Sequence, residues 1–324
     1  MDWSERLNNM VWGYKNAAVV LNALRVGVFE ALGEDWHTAD EVAAACRLDR
    51  RATEVVLLAL AACDVVRLDG DRFSTEPGAR PVLLEMGDTS QYFIYGHNLS
   101  MMRNWAHLED VLRTGQPVPK KERSEQELRD FILGMENVSR LSSREASEKL
   151  DLAGARRLLD LGGGPGTAAL TFAADNPDLA CVVFDLPGPV DIAREQIAAA
   201  GLGDRVTTVA GDFLTDDYGT GFDVVYIANI IHMLGPDDTR RIFEKSRAAL
   251  ADGGRLMVKD FYLEPSRIAP AAGASFSVNM LVHTPAGKTY TREETLELLT
   301  AAGFGTVTSV EIGVMSSILV ATAV

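Results

Sequence analysis

The chain has 324 residues, enough for two ordinary domains or for one domain with a large helical extension. Hydrophobic residues make up 47% and charged residues 24%, the balance of a globular protein with a substantial core. With 31 Lys+Arg against 46 Asp+Glu the formal net charge is −15, which repels phosphate backbones and anionic lipid and so counts against nucleic acid and membranes as partners.

Residues 1–10 lack a basic region followed by an apolar core, so no secretory leader is expected. Val11, Tyr14, Ala18, Leu21 and Leu24 recur at helical spacing and predict a helix over 9–32, interrupted at Gly27. Thr38 with Glu41 three residues later is a capping-box pattern that opens a helix to about 47, and a second helix follows over 51–63. A strand pair at 64–68 and 72–74 flanks a turn at Asp69, Gly70 and Asp71. Helix, helix and hairpin form a winged-helix layout. The helix that would enter a DNA groove, RRATEVVLLALAACDVV, is apolar after its first turn, whereas base reading needs polar and basic side chains. Residues 1–85 are therefore read as a winged-helix dimerisation domain.

Residues 86–150 read as a helical connector. Met101, Met102, Trp105 and Leu108 share one face, 115–124 is polar and loops, and Phe131, Met135 and Val138 open another stripe. Core packing is the first reading of such stripes; one wall of a substrate pocket is the second. From 155 onward strands and helices alternate. Strands are predicted at 157–161, 179–185, 206–209, 222–227, 255–259, 306–312 and 317–323, and helices at 167–174, 190–200, 237–250 and 292–302. This is an α/β pattern, a largely parallel Rossmann-like sheet covered on both faces, with an antiparallel last strand after a short turn. It marks 151–324 as a second domain.

The strongest local signal is LLDLGGGPG, a strand running into a glycine turn at a helix start, where a ligand can approach free backbone N–H groups. Gly162, Gly164 and Gly166 are spaced one residue short of the dinucleotide fingerprint, which counts against a nicotinamide cofactor without removing it. Asp185 closes the second strand where an acid takes ribose hydroxyls in doubly wound folds, and Asp212 ends the third strand at the same sheet edge. His232 lies just past the fourth strand, after Asn229, and Asp260 past the fifth. A lone histidine is usually structural; at this rim, a carboxylate beside it could fix its tautomer and stabilise an imidazolium.

These motifs, together with FDLP at 184–187, AGDF at 210–213, NIIH, GGRLMVKD and NMLVHTPAGKTYT, resemble the small-molecule O-methyltransferases that include the plant caffeic acid and acetylserotonin enzymes and bacterial secondary-metabolite relatives. The resemblance spans both halves of the chain and implies a class I methyltransferase sheet. It also implies that Gly162, Gly164, Gly166, Asp185, Leu186, Asp212, Phe213 and Asn229 hold S-adenosylmethionine and its product S-adenosylhomocysteine. His232 becomes the general base, with Asp260 its support. The acceptor, a small aromatic molecule bearing a hydroxyl, is expected to be lined by Met101, Met102, Trp105, Met135, Phe276, Asn279, Met280 and His283, and His283 is read as a second polar contact, an alternative base or a structural residue. Two departures stand out. Residues 233–238 are one longer than the plant pattern, and Thr289 occupies the place of a second supporting acid.

Cys46, Cys63 and Cys181 form no CxxC pair, which points to buried thiols, a reducing compartment and a cytoplasmic location. The scattered histidines offer no metal cluster, and no metal is expected. Homodimerisation is expected through the N-terminal domain. Methylation at carbon or nitrogen, a nicotinamide-dependent oxidoreductase and a metabolite-sensing regulator are the alternatives.

Overall fold

A computed structural model describes residues 2–84, 89–120, 124–313 and 316–323. The chain divides into two compact units, Met1–Arg103 and Asn104–Val324. The division falls inside the 86–150 segment and just before the end of one of its helices.

In the first unit, α1 (Trp3–Arg25) is capped by the Asp2 carboxylate, and Gly27 in the left-handed region separates it from α2 (Val28–Leu32). The helix thus starts six residues earlier than predicted. The residues at helical spacing divide by burial: Leu21 and Leu24 are buried, whereas Val11 and Tyr14 are 63% and 60% exposed. After β1 (His37–Thr38), Thr38 and Glu41 form the full capping box of α3 (Ala39–Cys46), and α4 (Arg50–Ala62) follows. The strands β2 (Val66–Asp69) and β3 (Arg72–Thr75) pair antiparallel, and β3 also takes β1, giving a three-stranded wing. Two helices, α5 (Arg80–Leu83) and α6 (Tyr92–Trp105), complete the segment. Phe29, Leu32, Leu57, Leu60, Val66 and Phe73 form its core. Of the cysteines, Cys181 is buried, but Cys46 is half-buried and Cys63 exposed, which corrects the expectation of buried thiols. Cys63 is the C-cap of α4, past the last core-facing turn.

The second unit begins with α7 (Leu108–Thr114) and the long α8 (Glu125–Lys149), which Ser124 and Glu127 cap reciprocally. The buried face of α8 runs through Ile132, Gly134, Asn137, Ser143 and Ala146; Phe131 and Met135 are half-buried and Val138 is 39% exposed, so the predicted stripe flanks the buried face instead of forming it. Then β4 (Arg157–Leu161), α9 (Thr167–Asp175), β5 (Ala180–Asp185), α10 (Pro187–Ala200), β6 (Val206–Ala210) and β7 (Phe222–Ala228) follow. The chain continues with α11 (Pro236–Ala249), β8 (Leu250–Phe261), α12 (Ala271–His283), α13 (Arg292–Ala301), β9 (Phe304–Ile312) and β10 (Ser316–Ala323).

Among the described residues these strands form a seven-stranded sheet, ordered β6-β5-β4-β7-β8-β10-β9. The first five run parallel, and β10 slots antiparallel between β8 and β9. The central β7 is apolar on both faces, with Val224, Val225, Tyr226 and Ile227 buried, as a strand covered on both sides must be. Strand β8 starts five residues earlier than predicted, because Leu250 pairs with Phe222 across an irregularity that the glycines of 253–254 accommodate. One core cluster packs around Leu159, Ile227, Phe243 and Val258; the other, on the opposite face, around Leu158, Phe172, Tyr226 and Met257.

Candidate active site

At the carboxyl end of β4 the chain turns through Gly162, Gly164 and Gly166, all at positive φ, into α9. A side chain at Gly162 would strike the tip of Ile230, its ideal Cβ lying 2.5 Å from Cδ1, so the glycine turn and the loop after β7 touch. Gly164 is different: with φ +54°, its missing side chain faces open space. The turn is closed from one side and open on the other, as a cradle for a ligand must be.

Asp185, at the end of β5, is oriented by the backbone. Gly164 N–H donates to Oδ2 at 2.8 Å and Leu186 N–H to Oδ1 at 2.7 Å. Burial nonetheless raises its pKa, against the two backbone hydrogen bonds that lower it. Leu186 is exposed, and Pro187 opens α10 directly behind it. Gly211 N–H donates to the Asp185 carbonyl at 2.9 Å, bringing the 210–213 loop alongside. Asp212 accepts from Leu214 N–H at 2.8 Å and, like Phe213, is half-buried. The glycines, Asp185, Asp212 and Phe213 therefore share one edge, with hydrogen-bond acceptors suited to a ribose diol and an aromatic face nearby. These residues fit a nucleoside cofactor.

Beneath the turn, Asp160 is 2% exposed and accepts from Ala169 N–H at 3.2 Å in the first turn of α9. Burial, with the neighbouring Asp185 charge adding to it, pushes its pKa up to about 7.

The loop after β7 carries the candidate base. Asn229 sits at φ +57°, its N–H donating to the Lys259 carbonyl at 2.9 Å, and a 3-10 turn over Ile231–Met233 carries His232. His232 Nδ1 lies 2.7 Å from Asp260 Oδ1 at the end of β8; His232 is 7% exposed and Asp260 1%. The same carboxylate accepts from Phe261 N–H at 2.8 Å and from His232 N–H at 3.3 Å. A carboxylate only accepts, so Nδ1 carries the proton and Nε2 is left with its lone pair. No described residue hydrogen-bonds Nε2. Phe276 meets the imidazole edge-on at a centroid distance of 4.9 Å, and Phe261 lies 6.2 Å away.

Helix α12 supplies the third side. Trp105 Nε1 donates to Asn279 Oδ1 at 2.9 Å, and Asn104 Nδ2 lies 3.1 Å from His283 Nε2. His283 Nδ1 is 2.8 Å from its own helix's Asn279 carbonyl. Met280 is buried one residue along. Thr289, in place of a second acid, does not turn to the histidine: its hydroxyl donates to the Gly273 carbonyl at 3.0 Å and its N–H to Ser277 Oγ at 3.2 Å. Thr289 thus anchors α12. Met135 is half-buried on α8, and Met101 and Met102 are half-buried on α6 within the first unit. Among the described residues no group of three or more His, Cys, Asp or Glu is placed to hold a metal.

Sequence reasoning missed Phe261, Asn104 and Lys259. Phe261 was accessible as the residue after Asp260; Asn104 and Lys259 gave no signal, because their placement depends on α12 and on the β7–β8 register.

The pattern of the O-methyltransferase domain matches residues 106–305, well over half the chain. The 3-hydroxy-5-methyl-1-naphthoate 3-O-methyltransferase of Streptomyces sahachiroi is 29% identical over 312 residues, covering 94% of this chain and 90% of that one. The N,N-dimethyltransferase OxyT of Streptomyces rimosus is 27% identical, covering 80% and 79%. Human N-acetylserotonin methyltransferase, solved in complex with S-adenosylmethionine, superposes with a TM-score of 0.90 at 25% identity over 100% of this chain and 98% of that one. Joined to a glycine turn and an acid-oriented histidine at one sheet edge, these likenesses make the chain a member of the S-adenosylmethionine-dependent O-methyltransferase family.

Proposed function

We propose that this enzyme transfers the methyl group of S-adenosylmethionine to a hydroxyl on a small aromatic molecule, with His232 as general base. The observation that carries this reading is the 2.7 Å His232–Asp260 pair, which leaves Nε2 as an acceptor on an imidazole flanked by the rings of Phe261 and Phe276. The cofactor supplies an electrophilic methyl on a sulfonium. A phenol of pKa about 10 is mostly protonated at neutral pH and a weak nucleophile. His232 Nε2 takes its proton, and Asp260 stabilises the imidazolium. Holding the oxygen in line with the methyl group supplies about 7–11 kcal/mol of the barrier, and proton removal a further factor of roughly 10²–10⁴. No step requires a metal.

Trp105, Phe276, Asn279, Met280 and His283 are proposed to line the acceptor, a role extended to Met135, Met101 and Met102 from the sequence. An indole N–H only donates, so the Asn279 oxygen faces Trp105 and its amide NH₂ is presented elsewhere. The aromatic naphthoate named for the Streptomyces sahachiroi relative agrees with such a lining. The enzyme is incubated with methyl-labelled S-adenosylmethionine and a metabolite extract, beside His232→Ala. A labelled methoxy product that collapses in the variant is the expected result. A labelled product undiminished by the substitution removes the base and moves the reaction to nitrogen or carbon; nitrogen transfer is the activity named for OxyT.

A homodimer through the first unit is proposed as well. Trp3, Leu7, Met10 and Tyr14 are all more than half exposed on α1 and follow the four-three spacing of a helical seam. A second copy is the occupant such a seam fits. Sedimentation of Leu7→Glu/Met10→Glu as a monomer, against a dimeric parent, is the expected outcome; an unchanged dimer overturns it. The three free thiols support a cytoplasmic location.

A further inference from the structure

Lys259, near the carboxyl end of β8, is 4% exposed. Its Nζ reaches Asn229 Oδ1 at 3.4 Å, a long hydrogen bond, and among the described residues it forms no ion pair. An ammonium has three donors. A buried cation left with one weak partner destabilises a fold, and such groups persist where a ligand completes them. Burial already pushes the Lys259 pKa down, with only Asp260 pulling it back.

Its direction identifies the ligand. Consecutive strand residues point to opposite faces. Asp260 faces His232, so Lys259 faces the other way, on the side of Met257, its cross-strand neighbour Tyr226 and Asp160, the face on which the glycine turn enters α9. Lys259 also pairs in register with Ala228, so its ammonium stands beside Asn229 at the same rim as Gly164. The acceptor molecule stands at His232, on the opposite face.

We propose that Lys259 binds the α-carboxylate at the amino-acid end of S-adenosylmethionine and S-adenosylhomocysteine, with Asn229 holding the ammonium in place. The proposal rests on the cofactor reading of the glycine turn. It gives the site a charge-assisted contact that distinguishes the whole cofactor from its nucleoside part.

Titration calorimetry with S-adenosylhomocysteine and with 5′-methylthioadenosine, which has the nucleoside and thioether but no carboxylate, tests it on the full chain. Lys259→Met is expected to weaken S-adenosylhomocysteine roughly ten- to a hundred-fold, the range for one hydrogen bond to a charged group, and to leave 5′-methylthioadenosine within about twofold. The ligand-free variant should melt no lower than the parent, because an apolar chain of similar length replaces an underpartnered cation. Lys259→Gln should show the same selectivity. Equal losses for both ligands, unchanged S-adenosylhomocysteine binding, or a lower ligand-free melting temperature in both variants would each overturn the assignment. A parent protein that binds neither ligand removes the cofactor reading and this inference together. A parent that binds both, with both variants unchanged, removes only the role of Lys259.

Discussion

Two histidines of the second unit, His232 and His283, stand in opposite electrostatic settings. His232 donates a hydrogen bond from Nδ1–H to a buried carboxylate, and no described residue hydrogen-bonds its Nε2. His283 has its Nδ1 against a helix carbonyl, which can only accept, so that nitrogen also carries a proton. Its Nε2, however, is already taken by the Asn104 amide. An imidazole with both nitrogens engaged by neutral partners is a positioned polar surface. One with an anion behind it and a vacant lone pair in front has the setting of the proposed base. The sequence offers both as candidates, and the hydrogen-bond partners favour His232.

The largest test of that contrast is His232→Ala, expected to lower kcat by roughly 10²–10⁴ while S-adenosylhomocysteine affinity, read by calorimetry, stays within about threefold. Near-parental kcat would break the comparison outright. Asp260→Asn should lose less, on the order of 10–100-fold in kcat, since the imidazole keeps an orienting oxygen but loses the charge that stabilises its protonated form. His283→Gln or Asn104→Ala should instead raise KM for the acceptor by about 2–10-fold with little change in kcat, the effect of one hydrogen bond. A kcat loss in His283→Gln matching that of His232→Ala would reverse the assignment of base. The smallest effect concerns stability. Asp160 has a folded pKa of about 7, above its unfolded value of 3.8. The folded state therefore holds an extra proton between those values, and stability linked to this group falls as pH rises through about 7. Asp160→Asn should consequently melt higher than the parent at pH 8, by about 2–4 °C per kcal/mol recovered, with the gain vanishing toward pH 4. A gain that grows on acidification would contradict the sign.

Much of this site is legible in the sequence because it sits where strands end. Apolar runs mark β4, β5 and β7, and the first polar or glycine residues after them are Gly162, Asp185 and Asn229. Thr38 and Glu41 likewise specify a helix start with purely local chemistry. What stays hidden depends on partners distant in the chain. Helix α12 is rich in Gly, Ser and Ala and shows weak amphipathicity, so its role in presenting Phe276 and Asn279 emerges only when it is packed. The match of Thr289 to an acid position gives no hint that its hydroxyl ties back to Gly273. Val11 and Tyr14 have helical spacing suited to a core, yet spacing does not say whether the core belongs to the same unit. Lys259 looks like a strand-end surface residue until the register with Ala228 places it inside.

The position of β10 has a consequence for synthesis. It is the last strand in chain order, yet it lies between β8 and β9. Strands β4, β5, β6 and β7, with the glycine turn and Asp185, can pair as soon as they leave the ribosome, whereas β8 keeps an open edge until residues 316–323 arrive. The half of the sheet proposed to hold the nucleoside thus precedes, in time, a completed seat for Asp260. A nascent chain paused between β9 and β10 presents β8 with one edge open, a stage exposed to wrong pairing.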